Sequence, residues 1–196
     1  MSNKQQSTDL HAENLLSLSR AKTFLGREFL TWLWYQSESG DNLNKIESPV
    51  SGETYICDLW IDDKVTLESS QSTVHSHALR GGNPSQSIEA AAALQSGKTV
   101  KSIKIGVNIE GFGEYLTTLN SSDLAPRSLT VPEPEEHEEI DANSLLSFRI
   151  NKINAFLDVL DGLFSQFLSK RVNLDWRNDQ KLIKGWIDDK IEPLLH

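Results

Sequence analysis

At 196 residues, 38% hydrophobic and 24% charged, the chain has the composition of a folded protein that buries a real core, as one domain or one domain with a helical arm. A formal net charge of -9 excludes a protein coated in basic surface that grips nucleic acid everywhere, while leaving room for a local basic face. One cysteine, Cys57, excludes an internal disulfide, and the sequence has no zinc-finger spacing, no signal-like N-terminus and no apolar run of about 20 residues; a soluble, cytoplasmic protein is expected.

The first ten residues are polar, and Asp9 is placed to cap a short helix carrying Leu10, Leu15, Leu16 and Leu18. This leads into FLGREFLTWLWYQSE, Phe24 to Glu38, the most aromatic stretch of the chain. Phe24, Leu25, Phe29, Leu30 and Leu33 recur at three-and-four spacing, with Trp32 and Trp34 on either side of the stripe. The pattern predicts a core helix contacted over most of its circumference, which Gly26 either interrupts or thins for close packing. The Ser37 to Asn42 cluster ends it.

Tyr55, Cys57, Leu59 and Ile61 alternate with Ile56, Asp58 and Trp60, and Val65 and Leu67 alternate with Lys64, Thr66 and Glu68. With Asp62-Asp63 as the turn, this predicts a hairpin. Val74 to Leu79 reads as a third strand ended by Gly81-Gly82-Asn83-Pro84. Ser85 or Ser87 caps an alanine-rich helix, Ile88 to Gln95, closed by Gly97. Val100 to Ile109 reads as a strand with Ile103, Ile105, Val107 and Ile109 on one face and Ser102, Lys104 and Asn108 on the other. A turn at Glu110 to Gly113 returns Tyr115 to Leu119, and Leu129 to Val131 adds an edge strand before Pro132.

The fold class is therefore α+β, with a mostly antiparallel sheet of about five or six strands packed with an N-terminal aromatic helix and a C-terminal helical hairpin. Residues 1–131 form the α+β domain, 132–141 (PEPEEHEEID) an acidic linker, and 142–196 a helical arm. In the arm, Leu146, Ile150, Ile153, Leu157, Leu160, Phe164 and Phe167 step by four and three, a heptad seam that calls for a long helical partner. Leu145, Phe156, Val159 and Leu163 widen it. A last helix, about Arg177 to Ile191, carries Leu182, Ile183, Trp186 and Ile187 and folds back on it.

No grouping spells an active site. His75 and His77 on one face of a strand are suited to a metal, yet a third and fourth ligand are not indicated nearby, and two exposed strand histidines are the simpler reading. The carboxylate clusters are turn, solvated helix and linker, and Cys57, on the apolar face of a strand, is most simply a small core residue. The turn glycines Gly81-Gly82 and Gly111 and Gly113 match no nucleotide-binding pattern. No catalytic residue, metal or cofactor is expected. Lys98, Lys101 and Lys104 lie in a stretch without an acid, and Arg80 closes the preceding strand. If the two strands are neighbours, the four residues make a small positive face for phosphates; otherwise they are solvated charges that discourage edge pairing.

GREFLTWLWYQSE (Gly26 to Glu38), WIDDKVTLE (Trp60 to Glu68), ALRGGNPSQSIEAAAALQSGK (Ala78 to Lys98) and VKSIKIGV (Val100 to Val107) resemble the later part of the bacterial recombination-associated protein RdgC family. The resemblance covers about a third of the chain. It implies a non-enzymatic, nucleoid-associated accessory of recombination or replication that binds duplex DNA with little sequence preference as a ring-forming homodimer. Arg80, Lys98, Lys101 and Lys104 are the positions it makes candidates for backbone contact. The chain departs from the family pattern in lacking its N-terminal portion, so a homodimer or a companion subunit supplying that portion is implied. The alternative is a scaffold or assembly subunit that binds a helical protein partner through Leu146 to Phe167, without nucleic acid.

Overall fold

The structure, a computed structural model, describes residues 24–39, 45–69, 72–80, 86–134, 141–173 and 176–192, with residues 72–77 described by backbone alone. The aromatic stretch forms α1, residues 24–38. Six strands follow: β1 Lys45–Glu47, β2 Thr54–Ser69, β3 Ser72–Arg80, β4 Lys98–Ile109, β5 Gly113–Asn120 and β6 Arg127–Thr130. Helix α2, Ile88–Gln95, lies between β3 and β4, and α3, Ala142–Val172, and α4, Trp176–Ile191, close the chain. All pairings are antiparallel, in the order β1-β2-β4-β5-β6, with β3 also on β2. The α+β class is as the sequence predicts.

Strand alternation divides the sheet into two unlike faces. Tyr55, Cys57, Ile61, Val65 and Leu67 of β2, Ile103, Ile105, Val107 and Ile109 of β4, and Tyr115 and Leu119 of β5 are all buried. Helices α1 and α3 cover this inner face. Phe29 of α1 meets Phe164 edge-on at 5.2 Å and Phe167 at 5.5 Å, and Tyr115 of the sheet stacks on Phe156 of α3 at 5.4 Å. On its other side α1 is closed by α4, where Trp186 packs against Trp34 and Tyr35. Glu38 accepts hydrogen bonds from the indole N–H groups of both Trp34 and Trp186 and pairs with Lys190. Residues from 24–131 and from 142–192 thus share one buried cluster.

Residues 55–67 are not a hairpin. A two-residue hairpin turn needs positive φ, and neither Asp62 nor Asp63 has it. Instead β2 runs straight through, and Asp62, Asp63 and Lys64 together oppose the single residue Lys104, since Ile61 pairs with Ile105 and Val65 with Ile103. The two extra residues preserve the side-chain alternation, so the apolar set stays on the inner face across the bulge. Lys104 holds both aspartates there, at 2.7 Å and 3.1 Å.

The heptad seam is one helix whose two ends have different surroundings. Asp141 caps α3 by accepting from the backbone N–H groups of Asn143 and Ser144. Leu160, Phe164 and Phe167 pack into the core, while Leu146, Ile150 and Leu157 are exposed at 59%, 47% and 38%. The reason is length: α1 supplies the helical partner, and it reaches only the C-terminal half of α3. The last helix, α4, then turns back to pack on α2 and α1, with Gln95 donating to Asp188. Among the described residues, no helix is long and apolar enough to cross a membrane.

Gly26 neither breaks nor merely thins α1. It is buried, and a methyl group added there would run into the backbone carbonyl of Ser121 in the loop after β5. Alanine gains about 1 kcal/mol of helix propensity over glycine, but overpacking against backbone costs up to about 3 kcal/mol. Gly26→Ala is expected to lower stability by a net of roughly 1–2 kcal/mol, read as a lower urea midpoint; an unchanged or higher midpoint would contradict the close approach.

Candidate nucleic-acid interface

The outer face of the sheet is built from the residues that alternate with the core. Apart from Gly106, the outer positions of β2, β4 and β5 are not buried, and they include Ile56, Asp58, Trp60, Lys64, Thr66, Ser102, Lys104, Asn108, Glu114, Leu116 and Thr118. Pairing lines these residues up in rows. Arg80 of β3 opposes Lys64 of β2; Lys104 of β4 faces the bulge that carries Lys64; Lys104 opposes Thr118 of β5, and Thr118 opposes Arg127 of β6. Four cations, Arg80, Lys64, Lys104 and Arg127, therefore stand in one line across the sheet, spanning roughly 19 Å at about 4.8 Å per strand.

The row is not uniformly available. Lys104 is clasped by the Asp62 and Asp63 carboxylates, whose hydrogen bonds hold its ammonium above the ordinary lysine pKa, with Asp62 contributing most. Arg127 pairs with Asp123 at 2.6 Å and holds that carboxyl below its usual range. Lys64 and Arg80 make no ion pair among the described residues, which leaves the β3 end of the row the most open to an anion.

The sequence places Arg80, Lys98, Lys101 and Lys104 on one face only if their strands are neighbours. They are not, because β2 lies between β3 and β4. Arg80 and Lys104 still share a row, joined by Lys64. Lys98 opposes Ser69 at the far end of β4, and Lys101, the extra residue of a second bulge between the pairs Thr66/Ser102 and Leu67/Val100, is drawn to Glu68 at 3.5 Å. Lys64 and Arg127 are absent from the sequence-based set. Lys64 is legible in the alternation with Val65, but a turn at Asp62-Asp63 would detach it from Trp60 and Lys104.

Trp60 stands one row away, opposite Gly106, which in turn opposes Leu116. A side chain at Gly106 would collide with the indole, so the ring lies directly over the glycine backbone. Asp58, Asn108 and Glu114 form the next row beyond it.

Elsewhere, a cleft of about 420 Å³ lined by Leu25, Phe29, Leu124, Leu160 and Phe164 separates α1 from α3, and another of about 580 Å³ lies between α1, α2 and α4. The side chains of His75 and His77, and residues 135–140 of the acidic linker, lie outside the described residues. Among the described residues, no group of three or more His, Cys, Asp or Glu could hold a metal ion.

No protein-family model matches the chain, and no curated protein or solved structure matches it.

Cys57 sits on the inner face, 3% exposed, and burial, helped by Asp58, pushes its thiol up to about 11. The thiolate is the reactive form, so at pH 8 the native protein is expected to resist a disulfide reagent and to react fully once unfolded in guanidinium; rapid modification of the native protein would show that the inner face opens.

Proposed function

We propose that the protein is a non-enzymatic, sequence-independent DNA-binding accessory of recombination or replication, which meets the phosphate backbone with the outer face of its sheet. The observation that carries this reading is the line of Arg80, Lys64, Lys104 and Arg127 across the strands, with Lys64 and Arg80 adjacent and free of ion pairs among the described residues. The resemblance to the RdgC family supports the same reading. The net charge of -9 opposes it at long range, and phosphates must compete with Asp62, Asp63 and Asp123 for two of the four cations. Binding should accordingly be weak, and lost over a modest rise in salt.

The test is anisotropy of a labelled oligonucleotide titrated with the full chain at several low salt concentrations. Lys64→Ala and Arg80→Ala are each expected to weaken binding and to reduce the salt slope by about 1, while Lys98→Ala stays within about twofold. Absence of binding by the unaltered protein at low salt would sink the proposal.

A second reading, a scaffold or assembly subunit, is favoured by α3. Single exposed apolar residues need no explanation, but a stripe of them does. Leu146, Ile150 and Leu157 are exposed and Ile153 is half-buried along one stripe about 17 Å long at 1.5 Å per residue. The stripe suits a helical partner, including a second copy. Light scattering after size exclusion should show an oligomer that the Leu146→Ser/Ile150→Ser/Leu157→Ser variant reduces to a monomer. A monomer in both cases, with no associating partner, removes the stripe's role.

A further inference from the structure

The chain has five tryptophans, and four of them are accounted for by packing. Trp32 and Trp34 are fully buried and Trp176 is 7% exposed; Trp186 packs on Trp34 and Tyr35 and donates to Glu38. Trp60 is different. It is only partly buried, lies outside the buried cluster, and has neither a ring contact nor a hydrogen bond among the described residues. One face of its indole rests on Gly106, on the side of the sheet that α1 and α3 leave uncovered.

We infer that the outer face selects single-stranded DNA over duplex, with Trp60 as the platform on which a base stacks beside the Arg80–Lys64–Lys104 row. The inference rests on the DNA-binding reading above and adds strand selection to it. Lys104 is two residues from Gly106 along β4, about 7 Å away, so a nucleotide whose base covers Trp60 has its phosphate within reach of the row. Thr66 and Ser102, paired across β2 and β4 beyond the row, and Thr118 offer hydroxyls to sugar and base edges. Asp58 and Glu114 lie on the opposite side of Trp60, where they repel phosphate and direct the strand toward the cations. A duplex presents its phosphates to the row but keeps its bases stacked in the helix, so it forgoes the platform. A single strand engages both, and because every base has a π-face the contact carries little sequence preference.

A merely structural Trp60 would shield Gly106 and affect both ligands alike. The experiment therefore compares fluorescein-labelled dT20 with a mixed-sequence 20-base-pair duplex, using the full chain at low salt. The unaltered protein should bind dT20 more tightly than duplex. Trp60→Leu should weaken dT20 binding by about tenfold or more while changing duplex binding less than twofold, and Trp60→Phe should recover most of the loss. Should Trp60→Leu fail to fold, Trp60→Phe supplies a second readout: dT20 should quench a part of the intrinsic tryptophan emission in the unaltered protein that is missing in Trp60→Phe. Equal loss for both ligands, no loss for either, no difference in quenching, or tighter binding of duplex overturns strand selection while leaving the DNA-binding reading standing. Failure of the unaltered protein to bind either oligonucleotide overturns both.

Discussion

Phe29 of α1 inserts between Phe164 and Phe167 of α3, and the rest of the fold follows from that junction. Each well-placed aromatic pair adds about 0.5–1.5 kcal/mol beyond the area it buries, and Trp32 adds a further contact to Phe167 at 5.8 Å. Arg171 extends the junction at the end of α3 by pairing with Glu28 at 2.7 Å. At the other end of this contact network Arg27 reaches Glu68 of β2, fixing α1 to the sheet as well as to α3. With α3 on one side, α4 on the other and the sheet beneath, α1 buries Phe29, Leu30, Trp32, Leu33 and Trp34 completely and leaves Phe24, at its start, exposed. Helices α1 and α3 are thereby committed to the inner face of the sheet.

Among the described residues the outer positions of β2, β4 and β5, Gly106 apart, are partly or fully exposed, and the composition of that face fits the exposure. Hydroxyls, amides and charges occupy most of it, with Ile56, Trp60 and Leu116 as large apolar members among the outer positions of β2, β4 and β5. The charges are balanced locally: two of the four cations in the row are held by carboxylates, so the face is patterned without being strongly basic. A surface of this kind retains little attraction for anions at long range and offers its hydrogen bonds at close range. The overall acidity of the chain and a local anion-binding row are thus compatible.

Much of this architecture was legible in the sequence, because it depends on local signals. The spacing of α1, the alternation of β4 and β5, the Ser87 cap of α2 and the apolar period of α3 all appear where their patterns place them. The misreadings have a common physical origin in contacts distant along the chain. Asp62-Asp63 has the composition of a turn, but β2 pairs on both sides of it with β4, some forty residues later, and Lys104 of that strand takes up both carboxylates of the resulting bulge. The seam of α3 shows its period and conceals the length of its partner. The order of strands is likewise invisible in the alternation of any one of them. For that reason alternation alone does not show that β2 lies between β3 and β4, or that Lys64 joins Arg80 to Lys104.

The unusual length of β2 has one more consequence. Its first residues pair with β1 and its last with β3 on the edge away from β4, and among the described strands none pairs with Asp58 to Asp63 on that edge. An unfilled stretch of strand is a template for any other extended chain, and cells are full of them. Here the stretch carries Asp58, Asp62 and Asp63 and ends in a bulge. Negative charge and broken register make the gap a poor docking site for a passing strand, so the same irregularity that aligns the cations also guards the protein against aggregation.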